Sequence, residues 1–233
     1  MNLETDSITN TITDPIIDPI TDPGRDCPLC PRLVELREKW RAAEPDWHNA
    51  PVDSFNSPNP KLMVLGLAPG LRGANATGRP FTGDYAGDLL YATLEKYGFL
   101  SGTYQARPDD GIALIDTMIT NAVRCVPPEN KPIGAEINAC RPFLQNTLKA
   151  HTSLIGVLAL GRIAHDTFLR TLGLRLKDFP FGHAAIHDLP AWEGKKIILF
   201  DSYHCSRYNT NTRRLTTEMF ETVFKGIRAR LYD

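Results

Sequence analysis

The sequence predicts an α/β protein, a three-layer α/β/α sandwich on a four-stranded, mainly parallel sheet. Two observations carry that expectation. Four short, nearly continuous apolar runs alternate with segments of helical periodicity, as expected of strands covered on both faces by crossover helices. Two of those runs empty directly into polar loops, and the carboxyl ends of strands are where open α/β sheets hold their sites.

Residues 1–24 come first and read as a solvated, disordered tail. Asp-Pro recurs at 14–15, 18–19 and 22–23. Prolines at that spacing forbid a helix, and isolated isoleucines bury too little surface to offset ordering entropy. Residues 25–233 are expected to form one folded catalytic domain, beginning with a helix at about 31–43. The apolar runs predict strands at 62–66, about 112–122, 154–160 and 196–202. Between them, helices are expected at about 84–97 (Leu89, Leu90, Leu94, Tyr97), 136–150 and 161–172, the last closed by Gly173. The final helix, about 213–231, repeats Leu215, Met219, Val223, Ile227 and Leu231 every four residues, with Phe220 and Phe224 widening the stripe. That stripe is a core face.

Composition narrows the function classes. No run of eighteen apolar residues occurs, and no basic region precedes an apolar stretch at the N-terminus, so neither a membrane span nor a secretory signal is expected. Five irregularly spaced cysteines do not resemble an extracellular disulfide framework and point to a reducing cytoplasm. A chain of 233 residues suits one large domain, expected to be monomeric. Within the net charge of −1, residues 1–26 carry six acids against Arg25 alone, which leaves +4 on residues 27–233. A mildly basic body is compatible with a polyanionic partner.

The motifs are more specific. Leu62 to Gly66 runs into Leu67-Ala68-Pro69-Gly70, and the loop continues through Gly73 and Gly78-Arg79-Pro80-Phe81-Thr82-Gly83-Asp84. Glycine there permits tight turns and close approach to a ligand. The loop has neither the Gly-Lys-Ser/Thr ending of a phosphate loop nor a G-x-G-x-x-G spacing. Phe81 sets a flat apolar face near the Asp84 carboxylate, and Asp84 is equally placed to cap a helix beginning near Tyr85. The pairs Cys27/Cys30 and Cys125/Cys140 supply a four-thiolate set, which zinc and iron–sulfur clusters use alike, so spacing alone does not choose. The run 196–202 ends in Tyr203-His204-Cys205-Ser206-Arg207-Tyr208-Asn209. Adjacent strand residues face opposite sides, so His204 and Cys205 are not expected to cooperate as a nucleophile pair. Between Ser202 and Thr217 the charged residues are Arg207, Arg213 and Arg214, with no acid, which suits phosphate contacts. His204 is the functional candidate. His48, His151, His165, His183 and His187 read as structural, the last two in a loop bordering the site.

Together these residues resemble the uracil-DNA glycosylase superfamily, its iron–sulfur branch, and most closely the family 5 (type B) enzymes. The resemblance runs from Cys27 to the C-terminal helix. It is carried by Gly66-Leu67-Ala68-Pro69-Gly70 with Gly78 to Asp84, by Thr120-Asn121-Ala122-Val123-Arg124-Cys125 with Pro127 to Pro132, and by Ser202-Tyr203-His204 through Asn209 with Arg214-Leu215-Thr216. It implies a four-stranded parallel sheet, a 4Fe-4S cluster on Cys27, Cys30, Cys125 and Cys140, and excision of uracil from double- or single-stranded DNA. On that resemblance Phe81 stacks on the extruded base, Asn121 reads its edge, and His204 donates to uracil O2, with Leu67, Ala68 and Gly70 lining the pocket. Ser206, Arg207, Tyr208, Asn209 and Arg213 form the expected DNA-binding loop, Arg207 and Tyr208 being the candidate wedge.

The chain departs from the pattern twice. Leu67 and Ala68 stand where related glycosylases have an acid or a polar residue, so Asp84 is expected to supply the carboxylate; Cys205 replaces a proline after the histidine. The competing readings are a broader substrate range (hypoxanthine, xanthine or mispaired thymine), a metal-stabilised nucleic-acid-binding module without catalysis, and a hydrolase of free nucleosides.

Overall fold

The computed structural model describes residues 21–232. The tail expected over 1–24 therefore lies outside the described residues up to position 20. Its last four residues already touch the body: Asp22 accepts from Ser54 N and Oγ (3.1 and 3.0 Å) and pairs with Arg124 at 3.3 Å.

In chain order the elements are α1 (Pro31–Ala43), β1 (Phe55–Asn56), β2 (Leu62–Gly66), α2 (Ala74–Thr77), α3 (Tyr85–Lys96), β3 (Leu100–Ser101), β4 (Ala113–Leu114), β5 (Thr117–Asn121), α4 (Gly134–Ala150), β6 (Gly156–Leu160), α5 (Arg162–Thr171), β7 (Ile186–Asp188), β8 (Ile198–Ser202), α6 (Arg207–Asn211) and α7 (Thr217–Leu231). The main sheet runs β1-β5-β2-β6-β8-β7. Its four central strands are parallel, as expected, but β1 and β7 add antiparallel edges, so the sheet has six strands rather than four.

The strands at 62–66, 156–160 and 198–202 match the apolar runs. The run at 112–122 does not form one strand. Asp116 takes a left-handed conformation (φ 50°) and breaks it; β4 then pairs with β3 in a separate hairpin, while β5 joins the main sheet.

Burial on both faces explains why polar residues are scarce in the central strands. Leu62, Val64, Ile119, Leu158, Leu160 and Phe200 pack beneath α3 and α7. Their alternates Met63, Leu65, Met118, Val157, Ala159 and Leu199 pack beneath α4 and α5. These are the outer layers of the sandwich. The α7 stripe is core as expected, with Phe220, Val223, Phe224 and Ile227 buried. That helix starts later than 213, because the Thr216 side chain caps it by accepting from Met219 N at 3.2 Å, and Arg213 before it is left-handed (φ 56°). The short α6, which sequence periodicity did not predict, is capped by Ser206.

Candidate active site

The parallel register sets Gly66, the last residue of β2, beside Asn121, the last of β5. The two chains stay together past the strand ends through Ala122 N to Gly66 O and Val123 N to Leu67 O, both 2.9 Å. A Cβ on Gly66 would stand 2.3 Å from Asn121 Oδ1 and 2.7 Å from Phe81 Cζ. Glycine is thus required here by contact, because it lets an amide and an aromatic ring share one strand end. Asn121 is only 2 % exposed, and its Oδ1 has no hydrogen-bond partner among the described residues. A buried acceptor left unpaired is costly, and this one lies on the strand end that the glycine loop faces.

Phe81 is buried and left-handed (φ 53°), a conformation that persists only when its surroundings enforce it. Here the flanking carbonyls are pinned: Tyr91 Oη donates to Pro80 O (2.6 Å) and Tyr104 Oη to Phe81 O (3.2 Å). Arg79 pairs with Asp110 through two bonds of 2.7 and 2.8 Å and donates to Thr82 Oγ1 at 2.8 Å. The guanidinium holds the Asp110 carboxyl well below the usual carboxylate range. Sequence reasoning missed this brace. Asp110 lies far along the chain, and nothing local links it to the loop.

Asp84 caps a helix, as anticipated, and also lines the cavity described below. Its Oδ1 accepts from Gly87 N at 3.1 Å, capping α3. Its Oδ2 turns toward the glycine loop, 2.6 Å from where a Cβ on Gly73 would lie and 3.0 Å from one on Gly70. Burial raises its pKa, partly opposed by the backbone amides of the cap.

His204 follows β8, and its ring centroid lies 6.0 Å from that of Phe81, tilted 28°. Burial lowers its pKa to about 4, so at neutral pH it is an uncharged imidazole. Asn209 Nδ2 donates to His204 O at 2.8 Å, holding the turn. Cys205 points the other way: it is fully buried, and its thiol donates to Ala86 O at 3.4 Å. The pair does not act as a dyad, and the thiol anchors the turn to α3 where the family pattern has proline.

A cavity of about 410 Å³ opens between these elements. Leu67, Ala68, Gly70, Phe81, Asp84, Asn121, His204, Ser206 and Arg207 all line it, joined by Tyr85 and Asn130, which the sequence did not single out. Asn130 arrives on the irregular turn Pro128–Asn130, with two successive left-handed residues, a conformation no motif announced. Tyr208, 72 % exposed, and Arg213 stand outside the cavity wall. Asn209 serves the His204 turn instead of lining the cavity.

His183 and His187 do not line the cavity. His187 joins His165 around buried Asp201, with Asp201 to His165 Nδ1 at 2.7 Å and to His187 Nε2 at 3.3 Å. This network lies beneath the end of β8.

Cys27, Cys30, Cys125 and Cys140 converge on one apolar hollow walled by Leu33, Val123 and Phe143. Burial, followed by the charge of neighbouring thiols, pushes Cys30 up to about 11 and Cys125 up to about 12. Arg124 N donates to Cys140 Sγ at 3.3 Å, and Cys125 follows Asn121 by four residues. A metal centre here would brace the strand end that carries the amide.

Comparison with known proteins agrees with this geometry. Residues 52–228 match the uracil DNA glycosylase superfamily. A type-5 uracil-DNA glycosylase of Thermus thermophilus is 44% identical over 203 residues, covering 84% of this chain and 90% of that protein. The type-5 enzyme of Mycobacterium bovis is 39% identical, over 85% of this chain and 76% of that protein. A type-4 enzyme of Saccharolobus solfataricus is more distant, at 27% over 72% of this chain and 71% of its own length.

Proposed function

The chain belongs to the uracil-DNA glycosylase superfamily, and from that premise we propose that its strand-end cavity extrudes uracil from DNA and hydrolyses the N-glycosidic bond, leaving an abasic site. The observation that carries this reading is the unpartnered Asn121 Oδ1, buried on the wall that Phe81, Asp84 and His204 also line. A uracil N3–H satisfies that oxygen, while the Asn121 amide donates to O4. Phe81 stacks on the pyrimidine, worth about 1–3 kcal/mol per base.

As the bond from C1′ to N1 breaks, its electron pair moves onto the base and charge gathers at O2. Neutral His204 donates a hydrogen bond there; one such donor is worth about 2.7–4 kcal/mol of barrier. The Asp84 carboxylate stabilises the oxocarbenium-like sugar and takes a proton from the water that adds to C1′. Arg207 on the cavity wall and exposed Tyr208 beside it form the wedge that fills the space the base vacates in duplex DNA, and the enzyme works as a cytoplasmic monomer on double- or single-stranded substrate. Ser206 and Arg213 contact the DNA backbone from the same loop.

The four cysteines suit a 4Fe-4S cluster. Among the described residues no three of these sulfurs lie within 4.8 Å of one another. A single tetrahedral zinc with bonds of about 2.3 Å draws its sulfurs to about 3.8 Å apart. The hydrogen bond that Arg124 N donates to Cys140 Sγ is the kind of contact that stabilises cluster thiolates. Bound there, the cluster would supply thiolate cross-links joining the segment before α1 to the segment after β5 and to α4.

The test is an oligonucleotide carrying one deoxyuridine. The wild type releases uracil and leaves an alkali-labile site, and His204→Ala loses about 100-fold in single-turnover rate. No release by the wild type from either duplex or single strands overturns the reading.

A further inference from the structure

Three exposed arginines on the strand-end face are each laid over an aromatic ring: Arg207 on Tyr85 at 5.3 Å, Arg162 on Phe181 at 5.8 Å and Arg214 on Tyr203 at 4.7 Å. Among the described residues none of the three has a carboxylate within 4.0 Å, whereas Arg32, Arg41, Arg79, Arg124, Arg175 and Arg230 all do. An exposed arginine normally loses side-chain freedom when it binds. One already resting on a ring keeps its planar fork oriented with N–H edges outward, so less is lost per bond formed.

Arg207 lines the catalytic cavity, but Arg162 and Arg214 do not. Their rings are joined, with Phe181 and Tyr203 centroids 6.2 Å apart. Tyr203 also stacks with the ring of His183 at 5.0 Å, whose Nδ1 accepts from Tyr203 N at 3.2 Å. This assembly adjoins the chemistry. Tyr203 precedes His204, and Gly161, just before Arg162, has its Cβ direction 3.6 Å from His204 Cβ. Buried Asp201, two residues before Tyr203, is engaged with His165 and His187, and no acid occurs from Ser202 to Thr217.

We propose that Arg162 and Arg214, seated on Phe181 and Tyr203, bind phosphodiesters of the DNA strand flanking the extruded nucleotide. This rests on the glycosylase reading and extends it to Arg162, which no motif identified, and to the ring-backed pairing of Arg162 with Arg214. Two guanidiniums with rigid backing and no carboxylate within 4.0 Å, Arg214 on a segment free of acids and Arg162 at the start of α5, fit phosphate better than any neutral ligand.

The experiment measures the salt dependence of binding to a duplex carrying an uncleavable deoxyuridine analogue. Replacing both arginines with glutamine (R162Q/R214Q) lowers the slope of log K against log salt by about 1.8, at about 0.9 per phosphate. From about 50 to 200 mM salt the wild type then loses about twelve-fold more affinity than the variant. The double lysine variant (R162K/R214K) keeps the slope, since charge alone neutralises phosphate, but binds more weakly because the stacked fork is lost. A glutamine slope within about 0.5 of wild type overturns the proposal, as does a lysine slope that falls with it. Because binding is read without cleavage, failure here is distinct from a wild type that releases no uracil.

Discussion

Replacing Asn121 with alanine tests whether the site is held at the expense of stability. The side chain is 2 % exposed with an unpartnered Oδ1, and a buried polar atom in that state costs about 1–3 kcal/mol. Truncation to alanine normally leaves a void, but this side chain borders an open cavity of about 410 Å³, so no sealed cavity forms and the usual cavity penalty is small. Removing the orphan acceptor should therefore leave stability unchanged or raise it by about 1 kcal/mol, about 2–4 °C in Tm for a chain of this size. Excision should move the other way. The variant loses both edge contacts to the base, and single-turnover release should fall about 100- to 1,000-fold, in the range set by losing one or two well-placed hydrogen bonds. Thermal melting beside a uracil-release assay reads both quantities. A variant that melts several degrees lower and loses activity only in proportion would mean that Asn121 is an ordinary structural residue.

Other substitutions probe the remaining parts. Gly66→Ala brings a Cβ to 2.3 Å from Asn121 Oδ1 and 2.7 Å from Phe81 Cζ, so both must shift; a displacement of about 1 Å costs about 100-fold in rate, and wild-type turnover would show that their alignment is immaterial. Asp84→Asn keeps a helix-capping side chain and removes the charge, so single-turnover excision should drop at least about tenfold, about 1.4 kcal/mol of barrier, with DNA affinity preserved; unchanged excision rejects the carboxylate role. Cys125→Ser should lower iron content and the broad visible absorption of the purified protein, whereas an unaltered spectrum and metal content argue against this ligand set. The pH response follows from His204, whose folded pKa of about 4 lies below its ordinary 6.5. Protonation favours the unfolded chain, so stability is lost as pH falls from 6.5 toward 4, by up to about 3 kcal/mol. The same protonation, with that of Asp84, should cut the rate on the acid side. His204→Ala should flatten the stability decline in that window, and an equally steep decline would locate its cause elsewhere.

What the sequence made legible follows from the range of the forces involved. Strand ends and cavity residues arise from local pattern: an apolar run, then glycine, then a polar side chain. Gly66 and Asn121 end neighbouring strands and His204 follows the end of β8, and the parallel order of these strands brings all three to one edge of the sheet. The break at Asp116 is also local, but a left-handed aspartate inside an apolar run carries no signature that distinguishes it from an exposed strand residue. The brace of Arg79 on Asp110, the His165–Asp201–His187 network and the arginine–ring pairs join residues far apart in the chain. Their spacing has no period to read, because only the folded topology makes them neighbours.

The acid position shows how such long-range packing relocates chemistry. With Leu67 and Ala68 after β2, no carboxylate can project from the first turn, and α3 supplies one from its cap. The two oxygens of Asp84 divide the work. Oδ1 is fixed by Gly87 N, which orients the group, and that leaves Oδ2 facing the cavity loop. Gly70 and Gly73 make this possible, since a Cβ on Gly73 would occupy the space 2.6 Å from Oδ2. Burial disfavours the charge while the amides of the helix N-terminus favour it, so the carboxylate is kept ionisable in an apolar wall without a cationic partner to neutralise it. On the proposed mechanism, its free oxygen Oδ2 is the one that faces the positive charge developing on the sugar. The glycine loop that looks at first like a ligand cradle therefore also makes room for the carboxylate that caps the next helix.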